Sequence, residues 1–241
     1  GYFIGPSAIG LYHIIYTVVS LLNMFISPIS KYFEVYTPKL WDNGEKSKVI
    51  KQLREGIFIY LIPSIGSLGI MIMYLEPVIK IIFNKNLQGE YNIGLLVLII
   101  GGGILSWGIA RLYNQMVKLN EINHYRLIIQ IIAVLINGIM NYYLISLIGL
   151  FGAAWSTFVS YLFINIMFVF KFSLGIDFKF IYRSLLLIIA ALPMFILKYF
   201  IQIETWYSLI TIIFINGVLY ITIIALFKLI QIDKVMKIIK I

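Results

Sequence analysis

The sequence has no cysteine and few charged residues. Without cysteine, the 241-residue chain can form no disulfide, no thiolate metal site and no thiol nucleophile. Charged residues make up 12% of the chain, compared with about 25% in an average soluble protein. Acidic residues are scarcer than basic ones, 10 against 19, and there are only two histidines. This composition excludes an ordinary soluble domain.

The apolar parts of the sequence also lack the residue groups that carry catalysis. They contain no carboxylate pair, no cluster of metal ligands and no activated nucleophile, and His13 and His124 are isolated from one another in sequence. The three glycines at 101–103 are followed by no Lys-Ser/Thr pair, so they are not a phosphate-binding loop. We therefore expect no catalytic residues, no metal and no cofactor, and a protein that is not an enzyme.

Apolar residues make up 61% of the chain, and they fall into seven long runs with almost no charge. Each run is long enough to cross the hydrocarbon core of a bilayer as a helix. The sequence thus predicts an all-α, polytopic transmembrane bundle, with one transmembrane domain over residues 1–241. The predicted spans are roughly 8–30, 56–75, 91–113, 125–147, 151–170, 184–201 and 206–227.

The basic residues predict the orientation of the chain. Sixteen of the 19 Lys and Arg residues fall in alternate gaps between the runs, and three fall in the remaining gaps. By the positive-inside rule the richer side is cytoplasmic, so Gly1 is predicted outside and Ile241 inside. A net charge of +9 would suggest a nucleic-acid partner in a soluble protein, but here it reflects topology, and we expect no nucleic-acid partner.

Two segments are predicted to lie along the membrane surface. In 45–55, apolar and basic residues alternate at helical spacing, and the tail 228–241 has the same pattern. Both segments would favour anionic lipid headgroups. The chain opens on Gly1 without a signal peptide, so we expect a piece of a longer protein. Its many Ile, Lys, Asn and Tyr residues are typical of an AT-rich bacterial genome, and it contains no Asn-x-Ser/Thr acceptor. Together with the predicted spans, these features indicate a bacterial inner membrane.

Few polar residues occur within the spans, and these are candidate binding residues. His13 is the only ionisable group clearly within a span, which suggests either a substrate contact or an aromatic-belt hydrogen bond. Arg111, Asn114 and Gln115 lie together at the cytoplasmic end of the third span. Arg111 there suits either a lipid headgroup or a phosphate of a ligand.

A longer pattern begins at Asn137 and ends at Thr157. It resembles the signature of the polysaccharide flippases of the multidrug/oligosaccharidyl-lipid/polysaccharide (MOP) exporter superfamily. Ser146 stands where the family usually has Pro, and Ser156 where it often has Ala. Shorter stretches match over about residues 1–175. The matching signature residues are Asn137, Asn141, Gly149, Gly152, Ala153, Ala154 and Thr157.

The resemblance implies a fourteen-helix transporter of two lobes, with this chain as the C-terminal lobe, helices eight to fourteen. Such flippases, of which the O-antigen flippases are one type, move an undecaprenyl-phosphate-linked oligosaccharide across the inner membrane by alternating access. The implied partners are this lipid-linked substrate, membrane lipids, the missing N-terminal lobe and other polysaccharide-assembly proteins.

Three other interpretations remain open. A multidrug antiporter of the same superfamily would need an intramembrane carboxylate to bind H⁺ or Na⁺, and this chain has none within its spans. A membrane-bound enzyme of polysaccharide assembly would need a long outer loop rich in Arg, His or acids, which is also lacking. A scaffold without transport activity is not rejected by sequence.

Overall fold

The computed structural model describes residues 5–83, 91–172, 174, 177–200, 203 and 205–229. Throughout these residues the regular secondary structure is helical, with no strand. Most of the predicted interfacial tail, 228–241, lies outside the described residues. In chain order the helices are α1 (Pro6–Ser20), α2 (Asn23–Asp42), α3 (Lys46–Phe83), α4 (Ile93–Leu119), α5 (Asn123–Ile148), α6 (Leu150–Lys171), α7 (Phe178–Phe200) and α8 (Trp206–Leu226).

Each helix from α3 to α8 is long and apolar enough to cross a bilayer. The bent pair α1 and α2 adds a seventh crossing if it forms one broken span. Helices satisfy their own backbone hydrogen bonds, which is what a segment inside hydrocarbon requires. The chain is a multi-pass membrane protein, and the predicted all-α class with about seven spans is confirmed.

The first predicted span, 8–30, is interrupted in the structure. α1 and α2 meet at an angle of 41°, with Leu21 and Leu22 between them. Backbone amides at this point bond to carbonyls three residues back instead of four, the tighter 3₁₀ pattern. The hydroxyl of Ser20 also donates to the carbonyl of Thr17 at 2.7 Å. These local bonds replace the regular α-helical ladder, so the span bends without a proline at the break.

α3 is one continuous helix of 38 residues. At about 1.5 Å per residue it extends about 57 Å, nearly twice the thickness of a hydrocarbon core of about 30 Å. Its first turns coincide with the predicted interfacial segment 45–55, in which Val49 and Leu53 are buried within the protein. Lys48 and Lys51 on the same turns are exposed. We expect this charged end of α3 to lie outside the hydrocarbon.

The helices form two compact units. The first contains Gly1–Tyr60 and Leu96–Ile176, and the second contains Leu61–Leu95 and Asp177–Ile241. α1, α2, α5 and α6 thus belong to the first unit, and α7 and α8 belong to the second. The long helices α3 and α4 each contribute one part to each unit.

Buried amide side chains join the helices of the first unit. The amide of Gln115 on α4 donates to the hydroxyl of Thr37 on α2 at 2.7 Å. The amide of Asn165 on α6 donates to the carbonyl of Ser106 on α4 at 2.6 Å and to its hydroxyl at 2.5 Å. Because an unpaired amide is costly to bury, these bonds favour one arrangement of the helices.

The second unit uses the same kind of contact. The amide of Asn216 on α8 donates to the hydroxyl of Tyr74 on α3 at 2.7 Å. One turn further along α8, the hydroxyl of Tyr220 donates to the carbonyl of Ile62 on α3 at 2.8 Å. Asn216 and Tyr220 thereby fix α8 against α3.

Candidate functional site

A cavity of about 600 Å³ lies in the first unit, with walls from α1, α4, α5 and α6. Small-molecule sites typically have volumes of about 300 to 1,000 Å³. Aromatic rings and uncharged polar groups make up most of the lining. The lining residues are Tyr12, His13, Tyr16, Trp107, Gln130, Ala133, Val134, Asn137, Thr157, Ser160, Tyr161 and Ile164.

Four aromatic rings form one side of the cavity. On α1, the rings of Tyr12 and Tyr16 stack with their centroids 6.2 Å apart. Trp107 on α4 and Tyr161 on α6 pack with centroids 5.1 Å apart, at an angle of 31°. The hydroxyl of Tyr16 lies within hydrogen-bonding reach of Tyr161. The four rings thus form a continuous wall across three helices.

A chain of hydrogen bonds orients the amide of Asn137 at the cavity. The amide nitrogen of Asn141 donates to the Asn137 side-chain oxygen at 2.9 Å. The hydroxyl of Ser156 on α6 donates to the Asn141 side-chain oxygen at 2.7 Å. Thr157, the next residue of α6, lies within hydrogen-bonding reach of Tyr12. The polar groups are therefore held in place by neighbouring side chains before any ligand arrives.

The cavity follows from helical periodicity. Residues spaced i, i+3, i+4 and i+7 share one face of a helix. This spacing places the contributing side chains of each helix in one row along the cavity. The rows are residues 130, 133, 134 and 137 on α5 and residues 157, 160, 161 and 164 on α6.

Among the residues that the structure describes, no Asp, Glu, Lys or Arg lines the cavity. Apart from the tyrosine hydroxyls, His13 is the one group in it that can ionise. Among the residues that the structure describes, no group of three or more His, Asp or Glu side chains lies close enough together to hold a metal ion. The cavity is thus suited to binding an uncharged ligand that combines hydroxyl groups with an apolar face.

A second, smaller cavity of about 310 Å³ lies between α2, α4 and the turn that follows α4. Gln115, one of the predicted binding residues, is buried beside it and bonds to Thr37. Lys118 of the same wall forms a half-exposed ion pair with Glu34 at 2.8 Å. Its lining residues are Glu34, Pro38, Trp41, Asp42, Gln115, Lys118, Leu119 and Glu121.

The structure does not bring His13 together with Arg111, Asn114 and Gln115, which lie within about one turn of each other on α4. His13 lies at the larger cavity and Gln115 at the smaller one, whereas Arg111 and Asn114 line neither. Arg111 is half-buried, four residues after Trp107 on α4. An interval of four residues corresponds to about 6 Å along a helix on nearly the same face. Arg111 therefore follows the aromatic wall by one turn.

The two glycines of the signature form the turn between α5 and α6. Gly149 is the single residue between these helices and has φ +58° and ψ −129°, a backbone conformation that favours glycine. At Gly152, an added Cβ would overlap the backbone carbonyl of Leu144 on α5. The small residues Ala153 and Ala154 follow, and Ala154 is fully buried. This part of the signature brings α5 close to α6.

Of the twelve lining residues of the larger cavity, sequence reasoning singled out only His13, Asn137 and Thr157. Four of the residues that it missed are central to the site. Gln130 had a usable signal, because it precedes Asn137 by seven residues, and that spacing places both on one face of an apolar helix. Tyr16, Trp107 and Tyr161 gave no such signal, since aromatic residues are frequent throughout the chain. Only the packing of α1, α4 and α6 brings these three rings together.

The fold is similar to that of a known transporter. The structure resembles "Lipid II flippase MurJ, inward closed conformation", with a TM-score of 0.70 and 15% sequence identity. The alignment covers 91% of this chain and 47% of the MurJ chain, so this chain spans about half the length of that protein. No protein-family model matches the chain, and no curated protein matches it. At this identity the likeness shows the fold alone.

Proposed function

We propose that this chain is the C-terminal lobe of a flippase of the MOP exporter superfamily. Its substrate is an undecaprenyl-phosphate-linked oligosaccharide, which it carries across the bacterial inner membrane for a surface polysaccharide of the O-antigen type. The lobe works by alternating access together with an N-terminal lobe. The N-terminus of the chain is outside and its C-terminus is cytoplasmic.

The observation that carries this proposal is the polar and aromatic cavity among membrane-spanning helices. Polar groups inside a bilayer are costly unless they are paired or line a cavity, and they then mark a transport path. Here a row of amide and hydroxyl groups faces a space large enough for a small molecule. A purely structural bundle would instead fill this space with apolar side chains.

The similarity of fold supports the same proposal. The protein named in the structural match is a flippase for a lipid, lipid II, and its fold agrees with this chain over nearly all of the chain. The Asn137 to Thr157 pattern, which resembles the polysaccharide flippases, independently indicates a lipid-linked saccharide. The break between α1 and α2 supplies a bent span of the kind found at the substrate sites of alternating-access transporters.

Arg111 is the basic residue best placed to meet the phosphate of such a substrate. It follows Trp107 by one helical turn and is half-buried. An arginine side chain binds phosphate oxygens through two parallel hydrogen bonds, which makes it well suited to this role. The sugar would then lie against the aromatic wall and the phosphate toward the cytoplasmic end of α4.

The cavity does not favour the alternative functions. An antiporter needs a carboxylate at its ion site, and the lining of the larger cavity contains none. A polysaccharide-assembly enzyme needs an acid, a base or a nucleophile that is held near another reactive group. Apart from His13, the described lining offers amide, hydroxyl and aromatic groups, and it holds no carboxylate or second histidine beside His13.

The test is to deplete the protein in its host cell and to follow the lipid-linked oligosaccharide and the surface glycan. We expect the precursor to accumulate on the cytoplasmic leaflet while the glycan disappears from the surface. Expression of the intact gene should reverse both effects. Unchanged glycan export and precursor levels after depletion would contradict the flippase proposal and favour a scaffold.

A further inference from the structure

We infer that the larger cavity of the first unit is a subsite for one uncharged sugar ring and that it discriminates against acidic sugars. The inference rests on the proposed function and narrows its substrate class. It concerns the sugar next to the aromatic wall, not the phosphate groups of the carrier. Three observations carry it: the geometry of the rings, the pre-oriented amide of Asn137, and the lack of fixed charge in the described lining.

The ring geometry suits the apolar face of a sugar. Trp107 and Tyr161 pack as an offset pair, with their centroids 5.1 Å apart and their planes at 31°, and both residues line the cavity. Tyr16 extends the wall from α1 toward Tyr161. A pyranose ring has one face of C–H groups that packs on aromatic surfaces, while its edge carries hydroxyls. Tyrosine and tryptophan serve both needs, because each has an apolar ring and a polar tip.

The α5 residues of the lining supply partners for the hydroxyls. Asn137 is fixed by its bond to Asn141, and Gln130 lies two turns before it on the same face of α5. A carboxamide has both donor and acceptor atoms, so it can meet a sugar hydroxyl in either role. Because Asn137 is already oriented, it loses little side-chain freedom when a sugar binds.

The lack of charge decides which sugars fit. No Lys or Arg lines the cavity, so the carboxylate of a uronic acid would lose its hydration without gaining an ionic partner. The same argument excludes pyrophosphate from this space. His13 is exposed at the wall and does not provide the bidentate contact that an arginine gives.

Binding can be measured through Trp107. The protein is the whole transporter that contains this chain, with Trp41, Trp155, Trp206 and any tryptophan outside this chain changed to Phe, so that emission comes from Trp107 at the cavity. This transporter in lipid nanodiscs is titrated with methyl glycosides of glucose, galactose, mannose and N-acetylglucosamine. Matched titrations use methyl glucuronide, methyl galacturonide and inorganic pyrophosphate.

We expect at least one neutral glycoside to shift Trp107 emission to saturation. The corresponding uronide should bind at least about tenfold more weakly, and pyrophosphate should give no shift. Failure of every neutral glycoside to saturate, or equal binding of a glycoside and its uronide, would overturn the inference.

Two substitutions locate the site. Tyr161→Leu removes a ring of the wall, and Gln130→Leu removes one amide and leaves the rings intact. Each should weaken glycoside binding about tenfold, whereas Tyr143→Leu, on the exposed face of α5, should not change it. Equal binding in all three variants would contradict the assignment of the site. If Tyr161→Leu folds poorly, the comparison of Gln130→Leu with Tyr143→Leu still tests it.

Failure of this inference can be told apart from failure of the proposed function. Suppose that the transporter flips lipid-linked saccharides, but Trp107 emission shows either no binding of neutral glycosides or equal binding of uronides. The proposed sugar subsite is then wrong, while the flippase function is supported. If depletion leaves glycan export unchanged, the proposed function fails whatever Trp107 binds. Neutral binding together with loss of export on depletion supports both.

Discussion

At the residue scale, Gln115 illustrates how a polar group within a membrane helix can be structural. Its position after Arg111 suggested a substrate contact, but its amide bonds to Thr37 and to the carbonyl of Phe33, at 2.7 and 3.3 Å. Only 5% of Gln115 is exposed, which leaves little of the side chain available to a ligand. We interpret Gln115 as a link between α2 and α4.

A double-mutant cycle tests this link. Gln115→Leu and Thr37→Val should each destabilise the protein, because each removes the buried hydrogen bond between the Gln115 amide and the Thr37 hydroxyl. Since both groups belong to one bond, the double variant should be more stable than additivity predicts, by about 0.6 to 1.7 kcal/mol, as measured for hydrogen bonds between membrane helices. The measurement is unfolding in detergent. Additive effects would mean that the two residues do not interact.

Gly152 gives a second prediction at this scale. Gly152→Ala should lower the free energy of unfolding by about 1 to 3 kcal/mol, because the new methyl group would overlap the backbone of Leu144 and force α5 away from α6. Gly138→Ala is the matched control on α5, where nothing lies within 4 Å of an added Cβ. Thermal unfolding of both variants is the measurement, and equal midpoints would contradict the close packing of the turn.

At the element scale, the apolar runs predict helices well, but their interruptions are less predictable. Gly149 marks its turn in the sequence, because helices end readily at glycine and the signature surrounds it. The break after Ser20 has no such mark: residues 18–24 contain neither proline nor glycine. It arises from local hydrogen bonds, whereas α3 remains one helix through Pro63. Composition alone therefore does not predict that the first span breaks after Ser20 while α3 continues through Pro63.

The length of α3 also gives a prediction. Its charged first turns should extend into water while its centre lies in hydrocarbon, because the helix is longer than the bilayer is thick. Since the chain has no native cysteine, single cysteines can be placed without background. Lys48→Cys should react with a water-soluble maleimide, and Ser67→Cys should not. Equal labelling of the two sites would contradict a spanning position for the middle of α3.

At the scale of the whole molecule, the sequence predicts the all-α class and the number of membrane crossings but not the site. Long apolar runs suffice for the class and the crossings, because each helical span satisfies its own backbone hydrogen bonds. The cavity combines residues as distant in sequence as Tyr16, Trp107 and Tyr161, and their proximity depends on how the helices pack. Periodicity accounts for the row from Gln130 to Asn137 on one helix but cannot indicate which helix faces it.

The predicted orientation can be tested with the same labelling chemistry. By the positive-inside rule, Lys48 should be cytoplasmic and the α5–α6 turn should be outside. An impermeant maleimide should therefore label Ser146→Cys in spheroplasts and Lys48→Cys only in inside-out vesicles. Ser146 is exposed just before that turn, which makes it a suitable outer site. The reverse pattern would show that the chain is inverted.

The most direct test of the account is flipping of a lipid-linked oligosaccharide by the reconstituted transporter that contains this chain. We predict that the wild type moves the lipid between leaflets. Trp107→Leu, which removes half of the aromatic pair, should slow this at least about tenfold, and Tyr143→Leu should leave the rate unchanged. No movement by the wild type, or equal rates in the Trp107 and Tyr143 variants, would contradict the claim that this cavity carries the sugar.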